Sequence, residues 1–355
     1  MTARRRAKRW PVGWWLAIAI VVVGTGLFAG RVLGVGVRSD RVEAAAGSQT
    51  TVTLKATATS EPSQTAAPAQ EPTTPSVDPT PPVPVVPAKF DGAKALKDIT
   101  ALAKIGVRKS GTTNERLGAD LIVRRLHAMG YGPEVRSFKL PSGATSRDVV
   151  ARASGESTRV IVLGAHMDSK RPSLRANDNA SGCAALLEIA RNVAGSPLYA
   201  SVEFVFFGAE EMVDTNPDHH HDGSRRYVKS MSAAQRKAVS AMISLDMIGV
   251  GSTLVSRTMG IGPKSLSNLL VARAKTAGFK LSYLRDPSTV GYSDHEPFER
   301  IGIPVSWMEW RNDPNYHTTR DTANHVSAAK VARAGQLVLD FVLAADKAML
   351  AGLRK

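Results

Sequence analysis

The stretch STRVIVLGAHMDSKRPSLRANDNASGCAALLEIARNV, residues 157–193, decides the architecture. Its first part, ending in GAH, is a continuous apolar run of strand length, the pattern of a strand buried on both faces. Its last part, SGCAALLEIARNV, carries apolar residues at helical spacing. The same alternation recurs on either side. ERLGADLIVRRLHAMGY (115–131) reads as a helix, SVEFVFFGAEE (201–211) as a buried strand and AVSAMISLDMIG (238–249) as another. PKSLSNLLVARAKTAGF (263–279) reads as a helix, IPVSWMEW (303–310) as a strand, and VSAAKVARAGQLVLDFVLAADKAML (326–350) as one long closing helix. Buried strands separated by helices predict an α/β fold, a single α/β/α domain over residues 89–355 with a mostly parallel, mixed central sheet. Ligands in such sheets bind beyond the carboxyl ends of the strands.

The remainder of the 355-residue chain has a different composition. A basic cluster, Arg4, Arg5, Arg6, Lys8 and Arg9, precedes the uncharged stretch PVGWWLAIAIVVVGTGLFAG, residues 11–30. Twenty residues at roughly 1.5 Å each match the hydrocarbon core of a bilayer, about 30 Å thick. Residues 1–39 are therefore expected to be a cytosolic basic tail and transmembrane signal-anchor, oriented by the positive charge before the span. The protein would then sit in the cell membrane as a single-pass chain, its amino terminus in the cytosol and its larger part extracytoplasmic. A cleaved signal peptide is the alternative and would leave the protein secreted. Residues 40–88 turn to Thr, Ala, Ser, Gln and Pro. Nine of the 20 prolines lie between Pro62 and Pro87, a composition that favours an extended, disordered linker over a packed core.

The net charge of +15 raises the question of nucleic acid, but 46 − 9 = 37 basic and 31 − 5 = 26 acidic residues lie beyond residue 88, spread out and without an arginine-rich run, an aromatic RNA-binding signature or zinc-finger spacing. No nucleic-acid partner is expected. The single cysteine, Cys183, excludes an intramolecular disulfide framework and a cysteine-only zinc site, and reads as a small buried residue. No pattern in the chain sets an oligomeric state.

What sits at the strand exits is His, Asp and Glu. GAHMDS ends the first strand with His166 and Asp168, and ANDNASG places Asp178 just before a helix. FFGAEE supplies Glu210 and Glu211, SLDMIG supplies Asp246, and NYHTTRDT after the last strand carries Tyr316 and His317. Each alone has a plain structural reading: a helix cap for Asp178, a solvated first helical turn for Glu210 and Glu211, a bonded core histidine for His166. Together at the ends of successive strands they converge on one crevice, where unneutralised carboxylates would repel one another. Two imidazoles and three carboxylates without a thiolate suit zinc, with cobalt or manganese as substitutes. The charge count favours two Zn2+. Two dications carry +4, Asp178, Glu211 and Asp246 supply −3, and one bridging hydroxide supplies −1, the arrangement in which water becomes a nucleophile near neutral pH.

In this order, GAHMDS, ANDNASGCAALLEIAR, FFGAEE, SLDMIG, YSDHEPF and YHTTRDT resemble the motif series of the co-catalytic di-zinc aminopeptidases of the aminopeptidase Y type, with glutamate carboxypeptidase and glutaminyl cyclase as more distant relatives. The resemblance covers about residues 90–350. It implies a zinc-exopeptidase-like fold and a metallo-exopeptidase that removes amino-terminal residues from peptides or proteins. Residue by residue, it implies that Asp178 bridges two metals, that His166 and Asp246 complete one site, and that Glu211 and His317 complete the other. It makes Glu210 the general base, able to take a proton from the attacking water and deliver it to the leaving amine. Asp168 would accept the second ring N–H of His166 and fix its tautomer. Tyr316 would donate its hydroxyl to the developing oxyanion.

The alternatives within the resemblance are a carboxypeptidase and a cyclase using one metal, the second disfavoured by the full set of five ligands. Outside it stand a non-catalytic, receptor-like module and an envelope scaffold. Ser293 and Glu296 have capping-box spacing, which gives Asp294 and His295 a structural role at the edge of the site. His219, His220 and His221 lie in a longer connection than many relatives have, and read as a solvated loop, an extra metal site or part of the substrate mouth. The formal glycosylation acceptor Asn179-Ala180-Ser181 is discounted because it lies in the bridging-ligand turn.

Overall fold

The computed structural model describes residues 88–216, 219–287 and 289–354. The expected anchor at 11–30 and the linker as far as residue 87 lie outside the described residues. Among the described residues, no helix is long and apolar enough to cross a membrane.

Strands β1 (Glu134–Lys139), β2 (Thr145–Ala153), β3 (Val160–His166), β4 (Ser201–Phe207), β5 (Val239–Leu245), β6 (Thr253–Thr258), β7 (Ser282–Arg285) and β8 (Val305–Arg311) form one sheet in the order β1-β2-β4-β3-β5-β8-β6-β7. The four strands legible as apolar runs, β4-β3-β5-β8, are contiguous and mutually parallel. The flanks mix the sheet: β1 and β2 join β4 by antiparallel pairing, while β6 runs antiparallel to β8 and parallel to β7.

Both faces are covered, as parallel strands require. Successive residues of β3 point to opposite faces. Ile161, Leu163 and Ala165 pack with α1 (Gly92–Lys104), α2 (Thr113–His127) and α3 (Ser181–Val193). Val160 and Val162 pack with Tyr227 and Val228 of α4 (Asp222–Ser230). The short helix α5 (Ala233–Ala238) leads into β5, and α6 (Ser265–Thr276) lies on the first face through Leu266 and Leu270. Phe298 of α7 (Glu296–Arg300) joins the second face. The single closing helix expected from the sequence is two, α8 (Ala328–Leu343) and α9 (Lys347–Leu353). Asp346 between them accepts a hydrogen bond from the Met349 N–H at 2.7 Å, and this cap starts a new helix in place of a continuation.

One glycine sets how closely the site's elements meet. A Cβ at Gly182, in the first turn of α3, would come within 1.9 Å of the Leu245 carbonyl at the end of β5. Only glycine lets that helix start abut the strand that carries Asp246.

Candidate metal centre

Every expected site residue reaches one cavity of about 430 Å³ at the carboxyl ends of the strands except Asp168, which is fully buried behind it. His166 ends β3 with its Nε2 3.2 Å from Asp178 Oδ1 and 3.5 Å from Asp246 Oδ1. On the other side of the Asp178 carboxylate, Oδ2 lies 3.5 Å from His317 Nε2. The candidate ligand atoms fall into two groups, His166–Asp178–Asp246 and Asp178–Glu211–His317, each with all atoms within 4.8 Å of one another. Asp178 belongs to both.

Local structure explains this convergence. Asp178 sits in the turn Ala176–Ala180, which Asp321 ties down by accepting the Asn177 N–H at 2.7 Å and the Asp178 N–H at 3.3 Å. Asp321 comes from the same loop as His317, so one carboxylate docks the loop onto the turn. Asn179 is fully buried, its amide donating to the Leu245 carbonyl and accepting from the Gly182 N–H, in keeping with discounting a glycan there. Asp246 is aimed by Ser293, whose hydroxyl donates to Oδ2 at 2.9 Å, leaving Oδ1 buried without a hydrogen bond. Ser293 therefore supports Asp246 and does not form the capping box its spacing suggested; α7 starts after His295 with no side-chain cap.

Asp168 differs from expectation in one respect. Its Oδ1 lies 3.4 Å from His166 Nδ1, an ion-pair distance, and that ring nitrogen makes no hydrogen bond. Its stronger contacts are the backbone N–H groups of Glu210 and Glu211, at 3.1 and 3.2 Å, and the Ser110 hydroxyl at 2.8 Å. Asp168 thus holds the paired glutamates in place. Glu210 and Glu211 form no helical turn. Cys183 is buried, donates to the His166 carbonyl at 3.1 Å, and is pushed up to about 12 by burial, so it is no nucleophile.

The charges show why a cation fits. Burial, then the negative charges of Asp178 and Glu210, drive Glu211 well above the usual glutamate range. Burial opposes ionisation of Asp178 too, but Arg175, His166 and His317 hold it well below the usual range. Burial likewise opposes a charge on His166, yet Glu210 and Asp246 raise it well above an ordinary imidazole. Four crowded carboxylates are sharing too little positive charge, and the donor set of histidine and carboxylate suits zinc. The unbonded Asp246 Oδ1 and the His166 Nε2 that faces three carboxylates, Asp178, Glu210 and Asp246, fit an ion at that group. Tyr316, half exposed, stacks on His317 with ring centroids 3.6 Å apart, and partial desolvation of its hydroxyl beside the negative Asp178 and Glu210 raises it, so that it stays a donor.

The sequence assigns no role at the metal centre to two further residues, Arg175, which it does not mark, and His221, which it marks only as one of three histidines in a loop. Arg175, 1% exposed, places Nη1 in contact with both Asp178 Oδ2 and Glu211 Oε1. His221 lies 3.0 Å from Glu210 Oε1 through Nε2 and 3.1 Å from Glu296 Oε2 through Nδ1. Although burial opposes its charge, the two glutamates hold His221 at about 9, while burial and the neighbouring His221 take His220 down to about 4. His219 pairs with Asp214 at the surface, but His220 and His221 are buried, so the loop reading fails for them. His220, His221 and Glu296 are spaced like metal ligands, yet Arg300 at 2.8 Å and Arg225 at 3.4 Å already balance Glu296.

Fold and site together define a mixed-sheet α/β protein with an acid–imidazole metal centre at its strand exits. The chain belongs to peptidase family M28, whose sequence model matches residues 148–342. It is 32% identical over 195 residues to aminopeptidase YwaD of Bacillus subtilis, covering 53% of this chain and 41% of that one. The chain spans less than half the length of the curated relatives it matches first. Among solved structures, the zinc aminopeptidase BSAP from B. subtilis aligns with a TM-score of 0.65 at 20% identity, over 71% of this chain and 94% of that one. Glutaminyl cyclase from Porphyromonas gingivalis aligns with a TM-score of 0.62 at 23% identity, over 71% and 98%. At those identities the two structures establish a shared fold.

Proposed function

We propose that this protein is a zinc-dependent exopeptidase, an aminopeptidase acting on the amino termini of peptides or proteins, tethered by residues 1–39 and held outside the cytosol by a linker over 40–88 that precedes a peptidase domain at 89–355. The observation that carries the activity is the meeting of His166, Asp178, Asp246, Glu211 and His317 around one cavity with Glu210 beside them. The 20-residue apolar run after the basic cluster supports the tether. His166, Asp178 and Asp246 would hold an ion; Glu211 and His317 complete, with Asp178, the donor set for the second ion expected from the sequence. Zinc bound there supplies Lewis acidity and lowers the pKa of water. The chain's own groups do the rest. Glu210, which His221 orients and which lines the cavity, accepts the proton of the attacking water and passes it to the departing amine. Tyr316 donates to the oxyanion. Asp168 fixes the backbone of Glu210 and Glu211 so that base and ligand keep their spacing.

The test is a panel of aminoacyl amides, their amino-blocked counterparts and a peptide with amino-terminal glutamine, with and without chelator. Cleavage of the free amines alone, lost on chelation and restored by zinc, is expected. Cleavage from the carboxyl end, or release of ammonia from the glutamine peptide without chain cleavage, would replace aminopeptidase by carboxypeptidase or cyclase. Cyclase is kept as a second reading because Arg175 lies across the second group of ligands. Glu210→Gln should lower turnover by about 10²- to 10⁴-fold while leaving metal content unchanged; activity near wild type would remove Glu210 as the base.

A further inference from the structure

The guanidinium of Arg175 occupies the space that Asp178 Oδ2 and Glu211 Oε1 would offer a second ion. Three features make this more than a surface contact. Arg175 is 1% exposed and contacts two carboxylates that line the cavity. Its Nε donates to the Lys170 carbonyl at 3.1 Å, which fixes the direction of the side chain toward the two carboxylates. Its backbone is left-handed, at φ 53 and ψ 61, and is held there by the Ser173 hydroxyl, which accepts the Arg175 N–H at 2.8 Å, and by Arg108, which donates to the Arg175 carbonyl at 3.2 Å. A non-glycine residue in that conformation is uncommon and costs conformational energy. The fold nevertheless places a cation there.

We propose that Arg175 takes the place of the second divalent ion, so that the chain binds one ion at His166–Asp178–Asp246 while the guanidinium closes the Asp178–Glu211–His317 corner. This rests on the metal-centre reading above and deepens it. Charge supports the count. One dication and one guanidinium carry +3, which balances the −3 of Asp178, Glu211 and Asp246 with no further anion. Two dications beside Arg175 would carry +5, which the three carboxylates and a bridging hydroxide, −4 in all, do not balance. The guanidinium cannot yield by losing a proton, because it stays charged at every accessible pH. A second ion has to displace the whole side chain, breaking its contacts with two buried carboxylates and one carbonyl and leaving a buried charge without partners. Asp178 divides its oxygens accordingly, Oδ1 toward His166 and Oδ2 toward Arg175.

The experiment counts ions in the full-length protein. Wild type, Arg175→Gly and Arg175→Ala are stripped with chelator, reloaded with excess Zn2+, desalted, and assayed for zinc per chain by mass spectrometry. Glycine suits the left-handed backbone at this position, so Arg175→Gly keeps the turn. We expect one ion per chain in wild type and two in both variants. Two ions retained by wild type would overturn the proposal without reference to any variant, and leave the metal centre standing. One ion in wild type and one in Arg175→Gly would overturn it as well, since Arg175 would then not be what excludes the second ion. No ion in any form would overturn the metal-centre reading itself.

Discussion

On the Oδ1 side of Asp178, both partners end adjacent strands: His166 terminates β3 and Asp246 follows β5, and both are buried. On the Oδ2 side the partners come from loops. Glu211 follows β4 after the backbone has left the sheet, and His317 stands in a positive-φ turn with its side chain 43% exposed. Each side presents a buried carboxylate oxygen with no hydrogen bond, Asp246 Oδ1 on the strand side and Glu211 Oε1 on the loop side, but only the loop side is crossed by the Arg175 guanidinium. The strand donors are fixed by sheet hydrogen bonds, while on the loop side, although Asp168 and Asp321 hold the backbone, the His317 ring is 43% exposed and keeps more side-chain freedom to lose on binding. The two sides are thus expected to differ in how tightly they hold an ion.

The largest effect tests that difference directly. Asp246→Asn should lose the ion on desalting, and turnover with it, whereas His317→Ala should keep its ion and lose only part of its turnover; zinc analysis beside an activity assay checks both. Equal loss of zinc from the two variants would erase the distinction between the sides. A smaller effect belongs to the loop side alone. Tyr316→Phe removes one donor to the oxyanion and should cost about 10²-fold in kcat with little change in KM, the size of a lost oxyanion contact. A rise in KM with kcat unchanged would make Tyr316 a packing residue beside His317.

The strand side was also the more legible one. His166 ends, and Glu210 and Asp246 follow, largely apolar runs, and a run buried on both faces announces both its strand and the place where it ends. β1 carries no such run, because its residues alternate between exposed and half-buried, and β7 is four residues long. The flanks of the sheet were accordingly unread, and with them its antiparallel pairings. Arg175 was invisible for another reason. Nothing in SLRAND marks a left-handed residue, since sequence flags that conformation only when glycine or asparagine occupies it. His221 could be seen in the run of three histidines, but not its orientation, because two neighbours of one residue type take opposite environments: His219 pairs at the surface and His221 reaches Glu210. Ser293 was seen for the wrong partner. Its spacing to Glu296 is that of a capping box, while its hydroxyl is drawn across the sheet end to the buried Asp246 carboxylate.

The smallest effect on catalysis, and a measurable one on stability, lies in the buttress behind the strand side. Asp168 is held by Ser110, and the segment carrying Ser110 is anchored in turn by Glu115, which accepts the Gly111 N–H at 2.7 Å and the Ser146 hydroxyl. Burial, against the help of Ser146, pushes Glu115 up to about 7. Its proton is therefore retained by the folded chain and released by the unfolded chain between the ordinary glutamate pKa, about 4.3, and about 7. The favourable contribution is complete below the lower value and is lost progressively as pH rises to the upper one, at about 1.4 kcal/mol per unit, or about 4 kcal/mol in all. Glu115→Gln keeps an acceptor for the Gly111 N–H and turns its amide N–H to Ser146, whose oxygen then accepts, but it has no proton to lose. Urea unfolding at pH 5 and pH 8 should show the variant gaining on wild type by most of that amount at the higher pH, with zinc content and turnover unchanged. A stability difference that stays flat between the two pH values would mean that Glu115 ionises normally and that the strand side owes its rigidity to the sheet alone.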